Sequence, residues 1–246
     1  MTGRVLLVGA GPGAADLLTI RARNALDQAT VVLHDRLVGS EILDMVPGSA
    51  EMIDVGKMPG ADHTQELILD LMATLAVEGH VVVRLKGGDP MVFGRGGEEL
   101  TYLAERGISA EVVPGITSAI GVPTCIGLPL TLRHVASGFA VVPGATLELG
   151  SAARYASVDT LVILMGARAR VGIANHLIAA GRPVEDPVAL IESGTTADQK
   201  VTLTTLGEVA AGNVDARAPV VWVCGPVVDT LSGGRSLRPA VAKRAT

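Results

Sequence analysis

Arg84-Leu-Lys-Gly-Gly-Asp-Pro-Met-Val-Phe-Gly-Arg-Gly-Gly-Glu-Glu99 joins a valine-rich apolar run to a helix-length segment through two groups of glycines. Glycine lets another backbone or a ligand approach the main chain closely. A strand that ends in such a loop and continues as a helix predicts a ligand held against that loop. Asp89 and Arg95 also lie inside the loop, and a tight turn alone would not require either of them.

On both sides of this stretch, apolar runs alternate with helix-length segments. The apolar runs of the first half are almost continuous rather than alternating, which is typical of parallel strands covered on both faces. The predicted strands are 4–10, 30–34, 51–55, 80–85 and 111–113, and the predicted helices lie near 16–28, 64–78 and 97–106.

The pattern starts again after Pro114-Gly-Ile-Thr117, and this restart predicts a second lobe. The alternation in Val201-Thr-Leu-Thr-Thr205 indicates that part of the second sheet is antiparallel. Two α/β lobes with the active site in the cleft between them are expected. The expected boundaries are 1–114 and 115–230, followed by a mobile tail, 231–246. The predicted strands of the second lobe are 139–142, 160–165, 188–192, 201–205 and 220–224, with a helix over 170–180 that ends at Gly181.

Composition excludes several classes of function. A net charge of −5 and an aromatic content of 2% argue against nucleic-acid binding. Neither the five histidines nor Cys125 and Cys224 show metal-ligand spacing, so no metal is predicted. No apolar run reaches the roughly 20 residues of a membrane span, and the N-terminus does not look like a signal peptide, so a cytoplasmic protein is expected.

The first strand leads into a second glycine loop, Gly9-Ala-Gly-Pro-Gly-Ala14. This loop nearly matches the dinucleotide fingerprint G-x-G-x-x-G/A, and Asp35 ends the next strand about where a ribose-binding acid would stand. An NAD(P)-dependent oxidoreductase is therefore one hypothesis. Pro12 counts against it, because proline lacks the N–H that a pyrophosphate would need.

Further motifs extend the glycine loops into a family resemblance. Taken together, the chain from Arg4 to Val228 resembles the tetrapyrrole methylases, and Arg84–Glu99 is its most specific part. The other matching stretches are Val8–Gly13, His34–Val38, Val55–Lys57, Val113–Thr117, Gly127–Thr131, Leu164–Gly166 and Glu192–Thr195.

The resemblance implies two methyl transfers from S-adenosyl-L-methionine to carbons C2 and C7 of uroporphyrinogen III. Precorrin-2 and S-adenosyl-L-homocysteine would be the products, and cobalamin or sirohaem biosynthesis would use the precorrin. A methylase of a later precorrin or another tetrapyrrole is the alternative within the family. A homodimer with two α/β lobes is also implied. The implied cofactor-binding residues are Pro12, Gly87, Gly88, Asp89, Val92, Thr117, Ser118, Met165 and Gly194.

The implied substrate carries eight carboxylates, which require cationic partners. Arg36, Arg95 and Arg133 stand at loop positions of matching motifs, although each could instead be a solvated surface arginine. Loss of a proton after methylation requires a base. The resemblance implies that the catalytic residues are Asp35, Lys57, Arg95 and Glu98.

Three positions depart from the family pattern and bear on the identity of the substrate. Met58 stands where the family usually has arginine, and Leu132 stands where it usually has histidine. The segment Val142-Pro-Gly-Ala145 replaces a Thr-Gly-His ending. These departures leave the implied methyl-donor loops intact.

Overall fold

The computed structural model describes residues 3–57 and 64–232 and divides the chain into two units, Met1–Ser118 and Ala119–Thr246. The predicted tail over 231–246 lies outside the described residues, apart from its first two positions. Each unit is built around its own five-stranded sheet. The predicted mixed α/β class with two sheets is therefore confirmed.

The sheet of the first unit is entirely parallel, in the order β3-β2-β4-β1-β5. All five strands lie within two residues of their predicted bounds. The strands are β1 (Arg4–Gly9), β2 (Val31–His34), β3 (Glu51–Asp54), β4 (Val81–Lys86) and β5 (Ala110–Val113), and the helices include α1 (Ile20–Asp27), α2 (Ser40–Leu43), α3 (Thr64–Val77) and α4 (Gly96–Glu105).

Both faces of the inner strands of this sheet are covered, which explains why these strands are mostly apolar. In β1, Leu6 and Val8 pack in a core that includes α1, whereas Val5 and Leu7 pack in a core that includes α3 and Leu103 of α4. Alternate side chains of a strand point to opposite faces, so a strand buried on both faces is mostly apolar along its whole length.

The connections that follow β1 and β4 leave the sheet in opposite directions. The path from β1 to β2 crosses β4, and the path from β4 to β5 crosses β1, although β1 and β4 are direct neighbours. Open parallel sheets bind ligands at the carboxyl ends of strands where such a reversal occurs. The two glycine loops of the sequence lie at this position.

Backbone contacts lock the loops that follow β1, β4 and β5 together. Gly11 N donates to Gly88 O at 3.1 Å, and Gly88 N donates to Gly11 O at 2.7 Å. A Cβ on Gly115 would overlap the carbonyl oxygen of Gly88, and one on Gly9 would lie 2.5 Å from the backbone nitrogen of Gly115. We call Gly9, Gly11, Gly88 and Gly115 the glycine junction. Gly9 and Gly115 are required by this close packing, whereas Gly11 and Gly88 have φ values of 74° and 68°, a backbone conformation that favours glycine.

The helix predicted over 16–28 begins later than expected. A single 3-10 turn over Ala15–Leu17 comes first, and α1 starts at Ile20. Thr19 sets this start, because its hydroxyl accepts from Ala22 N at 3.1 Å and donates to Pro114 O at 3.2 Å. A threonine N-cap satisfies one of the unpaired N–H groups at a helix start.

The second unit has a mixed sheet in the order β6-β7-β10-β8-β9. Only β6 and β7 pair in parallel, and β9 is an antiparallel edge strand, which confirms the prediction from its alternating sequence. The strands are β6 (Phe139–Pro143), β7 (Thr160–Leu164), β8 (Pro187–Glu192), β9 (Lys200–Thr205) and β10 (Val220–Cys224), with helices α5 (Ser118–Cys125), α6 (Leu149–Ala152), α7 (Arg170–Ala179), α8 (Leu206–Ala210) and α9 (Asp229–Ser232).

The central strand β10 is fully buried and contributes side chains to the cores on both faces of the sheet. Trp222 packs with Leu161 and Ile163 on one face, whereas Val221 and Val223 belong to the core on the other face. Helix α7 ends before Gly181, whose φ of 106° gives the predicted stop. Among the residues that the structure describes, no helix is long and apolar enough to cross a membrane.

The glycine junction predicts a sharp difference between two glycine substitutions in the same unit. Gly115→Ala should lower the free energy of unfolding by about 3 kcal/mol, because its methyl group meets rigid backbone. Gly97→Ala is the matched control, since nothing lies within 4 Å of its Cβ position in α4 and alanine favours helix by up to about 1 kcal/mol. Urea unfolding of both variants checks this, and equal stabilities would contradict the close packing.

Candidate active site

A cavity of about 420 Å³ opens in the first unit beside the carboxyl ends of β2 and β4. Its apolar wall includes Val55 and Ile68. Four of the five polar side chains that line it are charged. The polar side chains that line it are Asp35, Gln65, Arg84, Lys86 and Arg95.

Four charged side chains beside this cavity form one connected group, which we call the charge quartet: Asp35, Arg84, Lys86 and Glu99. Arg84 Nη2 donates to Asp35 Oδ1 at 2.6 Å, and Arg84 Nε lies 3.5 Å from Glu99 Oε1. Lys86 Nζ donates to the same Glu99 oxygen at 2.8 Å. Two cations thus face two carboxylates, and the quartet has no net charge when all four groups are ionised.

The inner part of the charge quartet is almost fully shielded from solvent. Arg84 is 3% exposed and Glu99 is 0% exposed. Burial and the neighbouring Arg84 guanidinium lower the pKa of Lys86, while Glu99 opposes that shift. Within the described part of the chain, Arg84 Nε and Glu99 Oε2 have no hydrogen-bond partner. Buried charges with incomplete partners are costly, so stability alone does not account for this arrangement.

Asp35 is the member of the charge quartet that reaches solvent. It follows β2 directly, and its side chain keeps 32% of its surface exposed. One of its oxygens accepts from Arg84, and the residue lines the cavity. The predicted partner Lys57 ends a 3-10 turn over Val55–Lys57, but its side chain and Met58 lie outside the described part of the structure.

Arg95 and Glu98 lie together at the start of α4. Arg95 Nη2 donates to Glu98 Oε2 at 2.6 Å, and Arg95 Nε contacts both carboxylate oxygens at 3.1 Å. This pairing lowers the pKa of Glu98 and raises that of Arg95. Arg95 and Phe93 have φ values of 60° and 53°. Left-handed backbone at non-glycine residues stores strain and is concentrated at functional sites.

The predicted cofactor residues of the first unit gather around the glycine junction. Asp89 accepts from Met91 N at 2.8 Å and from Gly115 N at 3.0 Å, so its carboxylate fastens the loop after β4 to the loop after β5. Val92 N donates to Asp89 O at 3.2 Å. The backbone and hydroxyl of Ser118 lie 3.5 Å from the Cβ position of Gly88. Pro12, Gly87 and Thr117 are half-buried beside these residues in the same three loops.

These loops do not provide the anion site of a dinucleotide fold. Gly11 already uses its N–H in the bond to Gly88, and Pro12 has no N–H. A dinucleotide fold also places a helix N-terminus directly after the loop, facing the pyrophosphate. Here a separate 3-10 turn stands between the loop and the start of α1 at Ile20. The geometry therefore opposes the oxidoreductase hypothesis.

The remaining predicted residues belong to the second unit. Met165 follows β7 with a φ of 58° and is 54% exposed. Gly194 lies between two residues with positive φ, and a Cβ there would overlap the side chain of Val122. Arg133 is exposed in a tight turn closed by paired bonds between Leu132 and Ala136. Arg36 is exposed in the first unit, next to Gly56.

Sequence reasoning missed Arg84, Lys86 and Glu99 as members of the site. The available signal was a pair of cations at alternate positions of a buried strand, since alternate residues share one face. Glu99 lies within the quoted loop-helix motif, but its sequence does not show that it is buried. Within 3–57 and 64–232, no group of three or more His, Cys, Asp or Glu residues could hold a metal ion.

Comparisons with known proteins place these features in a family context. Residues 4–210 match the family described as Tetrapyrrole (Corrin/Porphyrin) Methylases. The chain is 45% identical to the S-adenosyl-L-methionine-dependent uroporphyrinogen III methyltransferase of Methanosarcina barkeri, over 92% of each chain. It is also 45% identical to siroheme synthase 2 of Yersinia pestis, where the match spans 92% of this chain and 49% of that protein.

A solved structure agrees with these sequence matches. The uroporphyrin-III C-methyl transferase of Thermus thermophilus, crystallised with S-adenyl homocysteine, has a TM-score of 0.84 to this chain at 43% identity. The match covers 98% of this chain and all of that one. A likeness of this extent covers both sheets and the loops described above.

The charge quartet predicts unequal effects of two neighbouring substitutions in α4. Glu99→Gln leaves Arg84 and Lys86 with Asp35 as the only carboxylate of the quartet, and should lower the free energy of unfolding by about 3 to 5 kcal/mol at neutral pH. Glu98→Gln, the matched control, should change it little because Glu98 is exposed. Urea unfolding of both variants measures the difference.

The loss in Glu99→Gln should also shrink as the pH rises. Glu99 raises the pKa of Lys86, so its removal lowers that pKa further below 10.5. Between the lowered pKa of Lys86 in the folded chain and its pKa of 10.5 in the unfolded chain, the unfolded chain binds more protons. The free energy of unfolding therefore increases with pH in that window. A loss that stays constant over about two pH units above neutrality would contradict this coupling.

Proposed function

This chain belongs to the tetrapyrrole (corrin/porphyrin) methylases, and we propose that it is the enzyme that methylates uroporphyrinogen III with S-adenosyl-L-methionine. The observation that carries the proposal is the 45% identity, over 92% of both chains, to a methyltransferase named for that donor and that substrate. The products are precorrin-2, methylated at C2 and C7, and S-adenosyl-L-homocysteine.

The loops of the first unit that we propose for the donor fit S-adenosyl-L-methionine in their chemistry. The loops around the glycine junction offer backbone and small side chains, which suit a ligand that carries an amino acid, a ribose and a base. Bound there, the donor supplies an electrophilic methyl group. We propose that the residues that hold it are Pro12, Gly87, Gly88, Asp89, Val92, Thr117, Ser118, Met165 and Gly194.

The role of Asp89 in this site is indirect. Its two oxygens accept from the backbone of Met91 and Gly115, so it shapes the loops rather than standing ready as an isolated acid. A carboxylate can accept further hydrogen bonds while keeping these two, which leaves it able to contact a hydroxyl or ammonium group. Positioning of donor and acceptor supplies much of the rate of a methyl transfer.

Proton removal is the step that needs a side chain. Addition of a methyl cation to a pyrrole carbon leaves the ring system with one positive charge, which is discharged when an adjoining meso carbon loses a proton. Asp35 is the proposed base, because its carboxylate lines the cavity and is partly exposed. Lys57 and the pair of Arg95 and Glu98 are the further proposed catalytic residues.

The substrate carboxylates require cations at the rim of the site. We assign Arg36, Arg95 and Arg133 to them, since all three are exposed arginines in loops or at a helix start. Arginine binds a carboxylate through two parallel N–H groups. The bond from Arg95 to Glu98 already orients its guanidinium, so a substrate carboxylate would use its remaining donors.

Three finer points belong to the same proposal. The enzyme works as a homodimer, it is cytoplasmic, and its product feeds cobalamin or sirohaem biosynthesis. The match to half of a siroheme synthase supports a sirohaem route. The expected absence of nucleic-acid partners follows from the acidic net charge of −5.

Mass spectrometry of the product tests the proposed reaction. Purified protein, incubated anaerobically with uroporphyrinogen III and S-adenosyl-L-methionine, should give a tetrapyrrole that carries two added methyl groups. Calorimetry should show binding of S-adenosyl-L-homocysteine and none of NAD(H). A product without added methyl groups would overturn the substrate assignment, and tight NAD(H) binding would restore the oxidoreductase hypothesis.

Arg133 provides a second test that is specific to substrate binding. Arg133→Ala should raise KM for uroporphyrinogen III about tenfold with little change in kcat, since it removes one charge-assisted contact. Arg154→Ala is the matched control, an exposed arginine of the same unit outside the predicted motifs. Steady-state kinetics on both variants measures the effect, and an unchanged KM in Arg133→Ala would remove this residue from the site.

A further inference from the structure

The charge quartet contains three members that the proposed reaction does not use: Arg84, Lys86 and Glu99. They are more deeply buried than Asp35, although Arg84 and Lys86 also line the cavity. Replacement of a buried ion pair by well-packed hydrophobic residues is often neutral or stabilising, so folding alone does not require charges at these three positions. Their presence therefore calls for a functional explanation.

The contacts of Arg84 show what it does to Asp35. Its Nη2 donates to Asp35 Oδ1 at 2.6 Å, while Nη1 lies 3.4 Å from the carbonyl oxygens of Leu33 and Leu85. The guanidinium is therefore fixed by the backbone of β2 and β4 before it meets the carboxylate. With one oxygen of Asp35 held in this way, the orientation of its carboxylate at the cavity is set by the sheet.

Glu99 and Lys86 complete the arrangement behind Arg84. Glu99 lies 3.5 Å from Arg84 Nε and accepts from Lys86 and, at 3.5 Å, from Gln65. Without Glu99, two buried cations would face Asp35 alone and their repulsion would displace Arg84. The quartet balances two positive and two negative charges, which leaves Arg84 in place with Asp35 ionised.

We infer that Arg84 is a positioning residue of the proposed methyl transfer, which holds the Asp35 carboxylate in one orientation at the cavity so that it can accept a proton from the substrate. Glu99 and Lys86 hold the guanidinium of Arg84 in its position. The inference rests on the proposed function, because it gives Asp35 a proton to accept. It adds a requirement for a buried arginine that acts through Asp35.

A double-mutant cycle between Arg84 and Asp35 tests this inference. In the full-length enzyme, Arg84→Met and Asp35→Asn should each lower kcat about 100-fold, the lower range for loss of a general base. KM and the affinity for S-adenosyl-L-homocysteine should change less than about threefold. Because Arg84 acts through Asp35, the double variant should be no slower than the slower single variant.

Matched variants separate positioning from a general loss of structure. Arg106→Met removes an exposed arginine of the same unit, one that stacks on Tyr102, and should leave kcat unchanged. Arg84→Lys keeps the charge but loses the fork that joins Asp35 to the backbone, and should fall between Arg84→Met and wild type. If Arg84→Met does not fold, the same cycle is run with Arg84→Lys.

The outcomes distinguish this inference from the reaction on which it rests. Losses of kcat that multiply in the double variant, or a parallel loss of S-adenosyl-L-homocysteine affinity in Arg84→Met, would overturn the positioning role while leaving the reaction intact. Absence of methylated product with the wild-type enzyme would overturn both. A double variant as active as the slower single variant, with donor affinity preserved, supports the role.

Discussion

The first unit depends on one constraint, namely that three loop backbones meet with no side chain between them. The loops that follow β1, β4 and β5 are joined by two hydrogen bonds between Gly11 and Gly88 and by the contact of Gly115 with Gly9 and Gly88. The strand order reverses at this point, which is where open parallel sheets bind ligands. The shape of the donor loops and the position of Asp89, which joins two of them, follow from this meeting.

A second constraint is that the buried charges beside the glycine junction must be paired. Strand β4 leads into the glycine loop. Arg84 and Lys86, near its carboxyl end, lie on the face of the sheet that α3 and α4 cover. Two buried cations on one face require anionic partners, and Glu99 of α4 and Asp35 after β2 supply them. The same strand therefore builds the backbone site at its end and the charged wall of the cavity along its length.

Much of this architecture could be predicted from the sequence because it depends on local pattern. Strands buried on both faces are mostly apolar along their length, and the alternation over β9 predicts that part of the second sheet is antiparallel. The start of α1 was missed, because a 3-10 turn and the cap at Thr19 depend on a bond to Pro114 that is distant in sequence. The short helices α2, α6 and α8 were missed because four or five residues show no helical period.

Only part of the site could be predicted, because local motifs are visible in a sequence and contacts between distant residues are not. The resemblance pointed to the glycine loops and to Asp35, which a sequence shows as motifs. It did not point to Arg84 or Glu99, whose importance comes from burial and mutual distance. A sequence displays charges but does not show which of them fold into contact, so ion pairs across elements escape a residue-by-residue inspection.

A site made of main chain also has a consequence for inhibition. Resistance to an inhibitor usually arises when one altered side chain obstructs the inhibitor and spares the natural ligand. At Gly9 and Gly115 a new side chain would collide with the neighbouring loop, and at Gly11 and Gly88 it would strain a backbone of positive φ. We therefore expect compounds that occupy these loops to meet few escape mutations there, whereas selectivity between related enzymes must be sought in the charged cavity, where side chains rather than backbone form the wall.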